Sequence, residues 1–393
     1  MWKRLDRNRM RSFGIAVSAV LAVQLVVLCE YSSYLYRRFD LSSDFAIYAQ
    51  AWNAIGHGNL DPTDTIHIPT FPFWQSHFEL AMWPVALLRF VWPHPVDLLW
   101  LQDLAVVCTE GITIYWIARL CIERLKHLRV LVAVIATVFL IGSLWWYEIA
   151  SFDVHFEVLG LPLVVLVGYA LWRGRARLAI AAALVALLFG DVVSITLLFV
   201  ALAALASKRV RRRGLTRVCA GLLAAAVGWL VLVLVLNANQ ASGVVENYGY
   251  LVHAGPHASA SSVIFGVLAH PLHAARTILD RWRDIGHLLL AGGLLGLLTP
   301  WGLFVALGTI IPTGLNANTS FLSPIAAFQT AFVIPFLVVG TIMVLTRFQV
   351  VGSGAGSARS RKSVWHPALA WIAATALVAG GFAQGAHFYT QIR

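Results

Sequence analysis

Long apolar segments separated by tight basic clusters constrain this chain more than any other feature. Runs of about 18 or more apolar residues recur along it, each long enough for a helix to cross a bilayer. Hydrophobic residues make up 59% of the 393 positions and charged residues only 12%, too few charges to cover a soluble protein of this size. The expected fold is therefore all-α: a polytopic helical membrane protein with about nine to eleven membrane segments, residues 1–393 forming a single membrane domain. The basic clusters Lys3–Arg11, Arg119–Arg129, Arg173–Arg177 and Lys208–Arg213 lie beside segment ends. The positive-inside rule makes those ends cytoplasmic. Of the 18 Asp and Glu residues, only Asp6 and Glu123 fall on that side. The net charge of +11 is then a topological signal. No basic groove on a soluble face points to nucleic acid. The composition suits a high-GC bacterial genome, so the expected location is a bacterial plasma membrane, crossed many times. The N-terminus is expected in the cytoplasm and the acidic face outside it. The sequence indicates no protein partner.

The first span is expected over 13–36, a retained helix that is too long for a signal-peptide core. Residues 37–77 follow as an outer loop. Within it, 44–56 carries Phe45, Tyr48, Ala49 and Trp52 at helical spacing, which predicts a juxtamembrane helix on the interface. Segment 78–92, interrupted by Pro84, reads as a partial or interfacial helix. Spans are expected over 98–118, 130–147 and 158–172. Leu178–Ala206 is flanked by basic clusters at both ends, so one crossing cannot satisfy it. Two half-helices meeting at Gly190-Asp191 near the bilayer middle reconcile the charges. A span over 217–236 precedes a second outer region, 237–286. Residues 287–311, broken at Pro300, read as a short hairpin, and 325–346 as a further span. Residues 352–363 are a cytoplasmic linker, and 365–386 the last span. Cys29, Cys108, Cys121 and Cys219 form no CxxC and pair in no outer loop, so neither disulfide nor zinc is expected.

The acids gather in two outer loops. The first holds Asp44-Phe45-Ala46-Ile47-Tyr48-Ala49-Gln50-Ala51-Trp52, and the second Phe152-Asp153-Val154-His155-Phe156-Glu157. Two such loops, after the first and third spans, resemble the GT-C superfamily of membrane glycosyltransferases. The first motif is similar to the "D-L-G-I-F-D-Q-A" signature of a bacterial family of integral membrane proteins of unknown function, domain of unknown function 2079, which is placed near GT-C. The second is similar to "F-D-F-H-P-E". His77 after an aromatic loop and Phe332-Val333-Ile334-Pro335-Phe336 agree in order. Ala49 replaces the signature's second acid, Val158 stands where proline is usual, and Gly190-Asp191 stands where the family more often has Lys-Glu-Asp.

The resemblance implies transfer of a sugar, with inversion, from a polyprenyl-phosphate-linked donor, reached through the surrounding membrane lipids, to an outer-face acceptor. Asp44 is then the candidate general base, because an alcohol must lose its proton as it attacks. The plainer reading makes Asp44 the N-cap of helix 45–56. Asp153, His155 and Glu157 alternate and are candidate ligands for Mn²⁺ or Mg²⁺; otherwise they form a solvated turn. His77, Glu79, Asp191, Arg281 and Arg283 are candidates for substrate binding. Arg281 and Arg283 alternatively anchor at the interface beside Trp282. Asp191 alternatively caps a helix. The rival function is a transporter or lipid-glycan flippase, suggested by the broken helices. Recognisable inverted halves are missing from the sequence, and its acids concentrate outside.

Overall fold

The computed structural model describes residues 2–66, 70–76, 78–125, 129–236, 242–253, 258–322 and 327–351. His77, His257, the linker 352–363 and the last span 365–386 lie outside the described residues. Those described form a helical bundle with one small antiparallel pair, β1 (Thr63–Asp64) against β2 (Phe71–Pro72).

The path begins with α1 (Trp2–Arg38), α2 (Ser43–Gly56), α3 (Phe73–Ser76) and α4 (Met82–Ala86). It continues through α5 (Val96–Arg124), α6 (Arg129–Ile141), α7 (Leu144–Ser151), α8 (Phe156–Arg173), α9 (Ala176–Ala186) and α10 (Asp191–Ala206). Next come α11 (Lys208–Arg212), α12 (Thr216–Leu236), α13 (Ser242–Tyr248), α14 (Ala260–Ala269) and α15 (Pro271–Asp280). The described part closes with α16 (Trp282–Gly292), α17 (Pro300–Leu315), α18 (Ala327–Thr330) and α19 (Val333–Val351).

Among the described residues five stretches are long and apolar enough to cross a membrane: Met10–Arg38, α5, Arg129–Ser151, α8 and α12. Shorter apolar helices accompany them, and α14 and α15 meet at an 88° bend. The second outer region is thus helical rather than an open loop. Pro300 does not break a hairpin. It starts α17, where a missing N–H costs nothing, and the Thr299 side chain caps the end by accepting from Gly302 N–H.

In a bilayer, apolar burial drives helix association weakly, so close packing and polar contacts decide which helices meet. A Cβ at Gly296 would lie 2.3 Å from the Leu337 carbonyl oxygen, so only glycine lets the 294–298 turn rest on α19. Lower in the bundle, Trp116 packs edge-on against Tyr169, Trp301 and Phe336.

The break at Gly190 is present, and it lies level with the start of α8 rather than midway along it. Gly190 lies against the Glu157 side chain at the start of α8. At the other end of α8, about 27 Å away for 18 residues, Arg213 donates to the Arg173 carbonyl. The α9–α10 hairpin therefore runs the length of α8. The arms are Ala176–Phe189 and Asp191–Ala206, long enough to carry the turn to the acidic end. Both free ends return to the basic end, as the flanking charges require.

Candidate functional site

The site is built around the start of α2. Ile47, Tyr48, Ala51, Trp52 and Ile55 are buried; of the expected stripe Tyr48 and Trp52 are among them, while Phe45 and Ala49 are half-buried. Ser42 is the N-cap, accepting from Asp44 N–H. The cap is completed from 111 residues away. Asp153 accepts from Ser42 N–H at 2.8 Å, from Phe45 N–H at 3.3 Å, and from the Ser42 hydroxyl. A carboxylate at a helix N-terminus complements its unpaired N–H groups and its dipole. The cap expected of Asp44 thus falls to Ser42 and Asp153. Asp44 is left in the first turn, its side chain 38% exposed and one oxygen 3.8 Å from His155 Nε2.

The loop carrying Asp153 and His155 is held by Gln102 on α5. Its amide donates to the Ile149 and Asp153 carbonyls, and its oxygen accepts from His155 N–H at 2.7 Å. The His155 ring lies face to face with Phe328, centroids 3.5 Å apart, and parallel to Phe152. Nδ1 faces Glu157 at 3.9 Å.

Glu79 and Glu157 are buried beneath Asp44. Tyr48, stacked on Phe156, donates its hydroxyl to Glu79 Oε1. The 79–81 segment is pinned to the hairpin tip by Ala81 N–H to the Leu188 carbonyl. Gly190 carries the tip past both acids with φ of 105°. Its missing Cβ would stand 3.3 Å from Glu79 and 3.6 Å from Glu157. Burial, and then the charge of Glu157, push the Glu79 carboxyl well above the usual range. Burial likewise raises the Tyr48 phenol, with Glu79 adding to it. Glu79 Oε2 and Glu157 Oε2 are both buried without a hydrogen-bond partner. One proton shared between the two carboxyls satisfies both.

Asp191 opens α10 and accepts from Val192 N–H, so the capping role is real. Its side chain is exposed yet set among protein atoms, as in the wall of an open cleft. Asp191 acts electrostatically on Glu79, on Glu157 and on Tyr248. The Tyr248 phenol is pushed up to about 12 by burial and that charge, against a hydrogen bond with Asn316. Four carboxylates from four separate segments therefore share one end of the bundle. The starts of α2, α8 and α10 converge there, and their dipoles offset part of the negative charge.

Arg281 is linked to this group through Asn316, which it shares with Tyr248. Arg281 donates to the Asn316 carbonyl at 2.5 Å and lies near the Tyr250 hydroxyl. Its partners are carbonyl and hydroxyl oxygens, so its charge is not neutralised by them. Arg283 lies over the Trp282 ring, the anchoring arrangement. The set expected for Mn²⁺ or Mg²⁺ does not assemble. Asp153 faces the α2 cap, and among the described residues no three of His, Cys, Asp and Glu converge as metal ligands.

Sequence reasoning placed Ser42 in the capping stretch before α2 but missed Gln102, Phe328 and Tyr248. It also missed Asp103 and Glu110 on α5, buried against α1, where Ser32 donates to Asp103 and Gln24 to Glu110. Polar residues inside the 98–118 run were the available signal.

The profile of a family described as "Predicted membrane protein (DUF2079)" matches residues 37–380. No curated protein and no solved structure matches the chain.

Proposed function

The chain belongs to the DUF2079 family of predicted membrane proteins, and on that premise we propose that it is a membrane glycosyltransferase of GT-C type. In this reading it takes a sugar from a polyprenyl-phosphate-linked donor and passes it to an acceptor hydroxyl at the acidic, extracytoplasmic end. The observation that carries it is the meeting of Asp44, Glu79, Glu157 and Asp191, with Asp44 and Asp191 open to solvent and the two glutamates buried. Asp44 takes the hydroxyl proton as the acceptor oxygen bonds to the anomeric carbon and the lipid phosphate leaves with its electron pair. One such displacement inverts the configuration. The unneutralised Arg281 is suited to the leaving phosphate. The buried Glu79–Glu157 pair, holding a proton, keeps the floor of the site from adding a further full charge against that phosphate. His155, held by its stacking on Phe328, orients Asp44.

The test uses purified protein in nanodiscs with radiolabelled polyprenyl-phosphate sugars, wild type beside Asp44→Asn. Sugar transfer that falls on the order of a hundredfold or more in the variant supports the base assignment. Equal transfer by both proteins removes it.

A second reading, a transporter or lipid-glycan flippase, is favoured by one observation. Asp103 and Glu110 are buried carboxyls inside a membrane-spanning helix, and such groups commonly lie on ion or proton pathways. Flux or flipping in liposomes lost in Glu110→Gln and kept in Asp44→Asn selects this reading.

A further inference from the structure

At the end of α8 opposite the acids, arginines from five places in the sequence gather, two of them on one carboxylate. Glu123 accepts from Arg173 at 2.5 Å and from Arg209 at 2.9 Å. Arg209 lies flat over Trp172, 4.1 Å from the ring centroid, and Arg173 lies over the same ring at 5.7 Å. Arg213 donates to the Arg173 carbonyl. Arg124 is within electrostatic reach of both Arg209 and Arg347.

The charges do not balance. Glu123 pairs with Arg173 and Arg209 among the described residues, and its one charge also acts on Arg124 and Arg213. Burial, and then the charges of Arg209 and Arg173, lower the Arg213 guanidinium from its ordinary value. Arg173 Nε and Arg209 Nε are buried without a hydrogen-bond partner. Scattered topological arginines would spread into water. These are instead drawn together by a shared tryptophan, a shared carboxylate and the two ends of the α9–α10 hairpin.

We propose that this cluster binds a phosphate-type anion, either the headgroup of an anionic phospholipid or a soluble phosphate. Guanidinium forks match phosphate oxygens two at a time, and stacking on Trp172 fixes the plane of Arg209 before the anion arrives. Position favours the same chemistry, since basic pockets between helix ends lie at the level of lipid headgroups. The anion ties α5, α8, α11 and α19 together and locks the base of the hairpin whose tip stands in the acidic site. This site does not rest on the transferase reading.

The test is a titration of the full-length protein in detergent, read by native mass spectrometry. The probes are short-chain phosphatidylglycerol, short-chain phosphatidylcholine and inorganic pyrophosphate. Arg124→Gln combined with Arg347→Gln removes two charges while leaving the Glu123 bridge intact. Arg209→Gln removes the stacked one. Arg175→Gln combined with Arg177→Gln is the control at the same membrane end. At about 1 kcal/mol per arginine, the double variant at positions 124 and 347 binds on the order of tenfold or more weakly. The control pair keeps wild-type affinity. Phosphatidylglycerol bound in preference to pyrophosphate identifies the headgroup as the source, and equal binding of the two identifies soluble phosphate. Equal loss in the control pair, no loss in the 124/347 variant, or binding of phosphatidylcholine as tight as that of phosphatidylglycerol overturns the site.

Discussion

Asp44, Glu79 and Gly190 each carry a separate consequence. Asp44 is open to water and lies beside His155, so Asn in its place keeps size and hydrogen bonding while removing the proton acceptor. Thermal unfolding of Asp44→Asn should match wild type while turnover is lost. Glu79 gives a pH signature. Its folded-state value lies above its unfolded one because burial disfavours the charge. The stability it contributes is thus present in full below the unfolded value and is lost as pH rises through the folded one. Unfolding scans in detergent from mildly acidic to mildly alkaline pH should show wild type losing melting temperature along that range. Glu79→Gln should give a flatter curve, and a slope unchanged by the substitution would sink the shared proton. Gly190 holds φ of 105° against two carboxyl side chains. Gly190→Ala should cost about 1–3 kcal/mol in melting experiments, with activity falling further because the alanine pushes on Glu79.

Among the elements, α2 depends on a partner remote in sequence. Ser42→Ala should loosen its first turn by about 1 kcal/mol. Asp153→Asn should loosen it further, because three donors lose a charged acceptor. Hydrogen exchange over residues 43–50 should quicken about fivefold per kcal/mol, while α5 stays protected; unchanged exchange would show that packing alone orders the helix. This element also marks how much was legible. The spacing of Tyr48 and Trp52 announced α2, because a helix on a surface must put its apolar residues on one side. The hairpin in 178–206 was legible from charge, since both flanks are basic. The depth of its turn was not. Sequence gives the length of an apolar run, but the register of Gly190 against Glu157 is set by packing. Gln102, Asp103 and Glu110 were visible as polar residues in an apolar run, but their roles were illegible for a related reason. A few polar residues do not change the mean apolarity of a long helix, and their partners Ser32 and Gln24 lie on another one.

For the molecule as a whole, the two ends of α8 are chemically opposite, with carboxyls at Glu157 and guanidiniums at Arg173. In a background with the four cysteines replaced, Arg175→Cys and Arg211→Cys should label from one face of sealed vesicles, and Asp61→Cys from the other. Labelling of Arg175→Cys and Arg211→Cys from opposite faces would dissolve the hairpin. The cap shared by Ser42 and Asp153 also has a consequence in time. The ribosome makes Ser42 long before Asp153, and Asp153 before Asp191 and Phe328. During synthesis the first acidic segment therefore waits without the Asp153 carboxylate at its helix start. The acidic group assembles late and as a unit, so a chain that stalls partway through synthesis carries Asp44 without His155, Glu157 and Asp191 around it.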